Sequence, residues 1–124
     1  MTKLELGYNS IGDDGAKAIA EALKVNAVNA VVTKLWLNNN NIGPEGAIAI
    51  AEALKVNAVM TTLVLNFNRI GDEGAIAIAE ALKVNAVLTK LDIRINRMGD
   101  AWKKAVQAWV QDAVKDRSGF VLQL

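Results

Sequence analysis

Cysteine and histidine are both absent from this chain of 124 residues. Without cysteine there is no disulfide framework and no thiolate chemistry. Without histidine the commonest general base, the Ser-His and Cys-His nucleophile pairs and the usual zinc ligands are excluded. A carboxylate or lysine enzyme remains open on composition alone. Proline occurs once, and aromatic residues make up 5% of the chain. Neither sign of charge prevails: 14 basic residues stand against 13 acidic ones, for a net charge of +1. The basic residues are scattered, so nothing electrostatic calls for nucleic acid or an anionic membrane as partner. No apolar run approaches the ~18 residues of a membrane helix. The opening MTKLEL alternates polar and apolar residues and has no apolar signal-peptide core. The expected setting is soluble and cytoplasmic.

What the chain does have is an internal repeat. Leu4-Glu-Leu6 is followed by Asn9, Ile11-Gly12 and Gly15; Leu35-Trp-Leu37 by Asn40, Ile42-Gly43 and Gly46. Leu63-Val-Leu65 is followed by Asn68, Ile70-Gly71 and Gly74; Leu91-Asp-Ile93 by Asn96, Met98-Gly99 and Trp102. The copies start 31, 28 and 28 residues apart, and Gly46–Val59 recurs unchanged at Gly74–Val87. The first interval is longer because Asn26-Ala-Val is repeated at once as Asn29-Ala-Val. This insertion is expected to lengthen the first helix or bulge the loop after it. Phe120–Leu124 matches the start of a fifth copy.

Each copy reads as a short strand, a turn and a helix. Leu-x-Leu alternates at the strand period of two, and isoleucine and glycine mark the turn. Pro44 sits where a first helical residue belongs. Acids occupy the same first turn: Asp13, Asp14, Asp72, Glu73 and Asp100. They suit the positive end of a helix dipole. In the second copy Ala47, Ile50, Ala53, Leu54 and Asn57 form a buried stripe. Lys17 and Glu21 lie four apart on the opposite face.

Strands joined through crossover helices must run parallel, with right-handed crossovers. One unit cannot bury both of its apolar faces, so units must stack. Neighbouring strands lie ~4.8 Å apart and packed helices ~8–10 Å, so the stack bends with its sheet inside. The predicted fold is a right-handed α/β solenoid, a short horseshoe with about five parallel concave strands and helices on the convex side. It is one domain, with units near residues 1–31, 32–59, 60–87 and 88–118 and a terminal strand at 119–124. The turn asparagines Asn9, Asn40, Asn68 and Asn96 follow the strands at a fixed offset and are read as a hydrogen-bonded ladder. Trp102 and Trp109 replace small residues in the last helix and are read as a cap over an otherwise open core.

The pattern L-x-L-x-x-N-x-I-G-x-x-G-A-x-A-I-A-x-A-L-x-x-N resembles the ribonuclease-inhibitor type of leucine-rich repeat, also seen in the sensing region of NOD-like receptors. The likeness runs from Leu4 to Leu124. It implies a horseshoe that binds a protein partner, often through residues flanking the strand leucines. The near-identity of the copies points to an engineered or consensus-derived chain; recent duplication within a natural protein is the alternative.

Side chains beside the strand leucines should point away from the core. The rows are Glu5, Trp36, Val64, Asp92; Lys3, Lys34, Thr62, Lys90; Gly7, Asn38, Asn66, Arg94; and Tyr8, Asn39, Phe67, Ile95. The candidate partner-binding residues are Tyr8, Lys34, Trp36, Asn38, Val64, Asn66, Phe67, Asp92 and Arg94. Trp36 either packs over neighbouring stems or forms an apolar patch with Val64 and Phe67. No phosphate loop, calcium loop or catalytic carboxylate pair stands out from the repeat, so no catalytic residue, metal or cofactor is expected. The functional expectation is a non-catalytic protein-binding scaffold. The alternative is a structural, self-assembling repeat unit that pairs through open strand edges, for example as a homodimer.

Overall fold

A computed structural model describes residues 2–29, 32–57, 59–85, 87–97, 99–114 and 119–123. The elements alternate: β1 (Thr2–Glu5), α1 (Gly12–Asn29), β2 (Val32–Trp36), α2 (Pro44–Val56), β3 (Thr62–Val64), α3 (Gly71–Leu82), β4 (Lys90–Asp92), α4 (Asp100–Val114) and β5 (Val121–Gln123). The five strands form one parallel sheet in sequence order. The fold is an α/β solenoid of stacked strand–helix units.

The register follows the repeat. Leu35 stands opposite Leu63, Leu63 opposite Leu91 and Leu91 opposite Leu122. Leu35, Leu63 and Leu91 are fully buried, as are Leu37, Leu65 and Ile93 two residues further on. From the other layer Ile50, Leu54, Ile78 and Leu82 close the same core, joined by Val106 and Val110 of α4. The stripe Ala47, Ile50, Ala53, Leu54 and Asn57 is buried throughout.

The helix starts explain the spacing between units. A Cβ on Gly46 would lie 2.8 Å from Cγ2 of Ile42 and 2.9 Å from Cβ of Ala16. Glycine there lets Ile42 fold over its own helix start while α1 packs alongside. Pro44 is the first residue of α2, and Gly43 before it is extended, with φ −96° and ψ −169°. The proline ring disfavours helical backbone in the residue that precedes it. Gly12 and Gly71, which no proline follows, take positive φ instead.

The repeated Asn-Ala-Val lengthens the first helix: α1 has 18 residues, α2 has 13 and α3 has 12. The β1–β2 register also slips, Thr2 pairing with Val32 but Lys3 with Lys34. Lys17 and Glu21, four apart on the outer face, do not pair with each other. Lys17 reaches Glu45 of the next unit at 3.3 Å, while Glu21 pairs with Lys24. Lys55 and Lys83 likewise pair with Glu52 and Glu80, three residues earlier. These contacts are solvent-exposed and contribute at most about 1 kcal/mol each. The side chains of Trp102 and Trp109, and with them the cap they were read as forming, lie outside the described residues. No helix among the described residues is long and apolar enough to cross a membrane.

Candidate functional site

The sheet sets the outward rows by its register. Glu5, Trp36, Val64, Asp92 and Gln123 stand in one line across all five strands. Beside it run Lys3, Lys34, Thr62, Lys90 and Val121. Trp36 is half-buried. The ammonium of Lys3 lies 4.3 Å from the centroid of its ring. Lys3 also meets Glu5 at 2.9 Å. Lys3 and Lys34 are directly opposed in register.

Three residues of the outward rows are buried, Thr62 at 7% exposure and two of the candidate contact residues. Val64 is only 5% exposed and Asp92 only 3%. Val64 lies between Trp36 and Asp92 in register, so a large neighbour covers one flank. Asp92 is covered by Arg94 folding back on it. The guanidinium Nε donates to Oδ1 at 3.0 Å and Nη2 to Oδ2 at 2.8 Å. The Arg94 backbone N–H donates to Oδ1 at 3.1 Å. Hydrogen bonding to Asp92, then the charge of its carboxylate, raises the Arg94 pKa above its already high range. The two residues therefore present one neutral pair with an exposed guanidinium edge.

Trp36, Asn38, Val64, Asn66, Asp92 and Arg94 come together around a depression of about 320 Å³, with Lys90 and Gln123. Lys34, Tyr8 and Phe67 lie outside its lining. Asn38 lies close over Gly7, where a Cβ would come within 2.7 Å of its Oδ1. Asn66 Oδ1 is buried without a hydrogen-bond partner among the described residues. Gln123 was not singled out in the sequence. Its alignment with Asp92 was available from the match between Phe120–Leu124 and the earlier strand segments.

At the strand ends the residue before each turn asparagine is left-handed. Tyr8, Asn39, Phe67 and Ile95 have φ of 62°, 58°, 57° and 54°. Asparagine tolerates this region; for a β-branched or bulky residue it is strained. The conformation turns three apolar side chains into solvent: Tyr8 is 78% exposed, Phe67 48% and Ile95 59%.

The turn asparagines join adjacent units. Asn68 Oδ1 accepts the N–H groups of Asn40 and Ile42 at 2.9 and 3.0 Å. Its Nδ2 donates to the carbonyls of Leu37 and Leu65. Asn40 and Asn96 make corresponding bonds to the units before them. Asn9 is exposed, and its amide donates only within its own turn, to Leu6 and Gly7.

A second set of asparagines stands at the helix ends. Asn57 Nδ2 donates to the Leu23 carbonyl, and its Oδ1 accepts from Val59 and Met60. Asn85 repeats this, bonding to Leu54 and Asn57 behind it and accepting from Val87 and Leu88. The sequence reading placed Asn57 in the apolar stripe without assigning this job. The signal was the asparagine of each recurring Lys-Val-Asn-Ala-Val, the one polar side chain kept on a buried face. Asp13 also differs from expectation. Its Oδ1 accepts the N–H groups of Gly43 and Gly46, so it serves the following helix.

A larger depression, about 440 Å³, lies beside these helix starts and includes Asp13, Asn41, Arg69 and Arg97. Its carboxylate is engaged at α2, and Arg69 Nη1 donates to Asn41. Among the described residues no group of three or more acidic, histidine or cysteine side chains could hold a metal.

The comparisons agree with this architecture. Among solved structures, the chain is similar to leiomodin-1 actin-binding site 2, with a TM-score of 0.83 and 28% identity, over 99% of this chain and 69% of that one. No curated protein sequence matches significantly. The model of the leucine-rich repeat matches three times, at residues 1–20, 28–51 and 56–79, which together cover more than half of the chain. The chain belongs to the leucine-rich repeat family.

Proposed function

We propose that this chain is a non-catalytic protein-binding module whose partner docks on the outer sheet face and the strand ends beside it. The observation that carries this reading is the row Tyr8, Phe67 and Ile95. Each is apolar, exposed and held in left-handed backbone. Such conformations cost of order 1–3 kcal/mol each, and here they turn apolar surface outward beside the half-buried Trp36. Trp and Tyr are also the side chains most often found at binding hot spots. The family match supports a repeat module, and the similarity to an actin-binding site supports a protein as ligand. Actin is therefore the first partner to test.

Trp36→Ala and Phe67→Ala should abolish or strongly weaken partner binding while the circular dichroism spectrum is kept. Ile48→Ser and Lys55→Ser on the helix side should leave binding unchanged. Actin and binders selected from a displayed peptide library are the probes. Binders that respond to the helix-side changes and ignore Trp36 and Phe67 would refute the reading.

Self-association is a second reading, favoured by Leu4. This strand leucine is 38% exposed, where Leu35, Leu63 and Leu91 are fully buried. A second copy packed against the outer edge of β1 would cover it. Light scattering across a concentration range decides: a constant monomer mass removes this reading.

A further inference from the structure

The sheet face carries a charge imbalance that the whole chain does not. We infer that its partner segment is acidic: a carboxylate-bearing stretch of protein with an apolar side chain next to the acid. The inference rests on the binding face proposed above and specifies the chemistry of what binds there.

Four cations stand in the outward rows: Lys3, Lys34, Lys90 and Arg94. The only acids there are Glu5 and Asp92, and both are already in ion pairs. Lys34 and Lys90 have no ion pair among the described residues, and both are half-buried. The face is thus a cationic patch on a chain of net charge +1. The remaining acids are concentrated at the helix starts and along the outer helices.

The depression between the rows has matching chemistry. Lys90 and the exposed guanidinium edge of Arg94 supply donors on one side, while Trp36 and Val64 supply an apolar wall. Asn38 and Asn66 complete the lining. An incoming carboxylate meets Lys90 and Arg94. A neighbouring apolar side chain packs on Trp36. A basic segment would face Lys34 and Lys90 with like charge, and like-charge juxtaposition is a strong discriminator between partners.

The test is selection from a phage-displayed library of random short peptides against the full chain, without prior choice of ligand. Recovered sequences should be enriched in Asp or Glu adjacent to aromatic or aliphatic residues. Their affinity should fall about tenfold in a chain carrying Lys34→Glu and Lys90→Glu, and weaken on raising salt. The neutral pair Lys34→Gln and Lys90→Gln, which keeps the side-chain bulk, should give an intermediate loss. Binders that are neutral or basic but still lost on Trp36→Ala would overturn the acidic assignment and leave the binding face standing. Binders indifferent to all of these changes, or no binders at all, would overturn both.

Discussion

Asp13 belongs to α1 and completes α2: its Oδ1 accepts the N–H of Gly43 at 2.7 Å and that of Gly46 at 2.9 Å. Gly43 itself provides no side-chain cap. The first helical N–H groups have no partner inside their own helix. A carboxylate from the preceding unit supplies it, and the dipole of α2 favours its charge. Asp72 stands in the same relation to Gly99, at 3.3 Å. Capping between units makes the start of one helix depend on the one before.

Asp13→Ala should therefore destabilise the chain by about 1 kcal/mol, the usual cost of removing a helix cap. Asp13→Asn keeps the acceptor oxygen and should recover most of the loss. Urea unfolding of the two variants checks this. Equal losses would mean that charge, and not the hydrogen bond, is what matters.

The turn asparagines should not be equivalent. Asn68→Ala removes the partner from three backbone groups, those of Asn40, Ile42 and Leu37, while the Leu65 carbonyl keeps its bond from Asn96. With about 1–3 kcal/mol for each buried group left unpaired, the loss should exceed about 3 kcal/mol. Asn9→Ala disturbs only exposed bonds within one turn and should cost less than about 1 kcal/mol. Asn57→Ala should resemble Asn68→Ala. Chemical denaturation of the three variants ranks them.

Ile95 occupies left-handed backbone that its branched side chain disfavours. Asn39 fills the equivalent place with a residue that tolerates it. Ile95→Asn should raise stability by about 1 kcal/mol. If the strand-end row is a contact surface, the same change should weaken partner binding. A stabilised variant with unchanged affinity would remove Ile95 from the face.

Gly46→Ala brings a methyl group against Ile42 and Ala16 and should destabilise by about 1–3 kcal/mol. A Cβ on Gly99 meets nothing within 4 Å, so Gly99→Ala should cost clearly less. Comparing their melting temperatures tests whether close approach of the helices sets the difference.

Periodicity was enough to foresee the strand order, the leucine register and the buried helix stripe, because each follows from one unit repeated. What periodicity alone misplaced were contacts between side chains of adjacent units. The exposure of Asp92 depended on Arg94 folding back. Lys17 has a helix neighbour in Glu21 and chooses Glu45, which only the stacked geometry brings near. Asp13 was read from its own helix for the same reason. Asn57 and Asn85 were hidden because a polar residue on an apolar face has no partner within its own unit. The row at Tyr8, Phe67 and Ile95 was placed correctly along the strand ends, but its left-handed backbone has no signature in residues that avoid it.

The most direct test is a two-dimensional NMR titration of the labelled chain with a selected peptide ligand. The indole N–H of Trp36 and the amides of Val64, Phe67 and Lys90 should shift together, while Ile48, Lys55 and Ile76 stay still. Shifts confined to the helix side, with the Trp36 indole unmoved, would contradict the assignment of the sheet as the binding face.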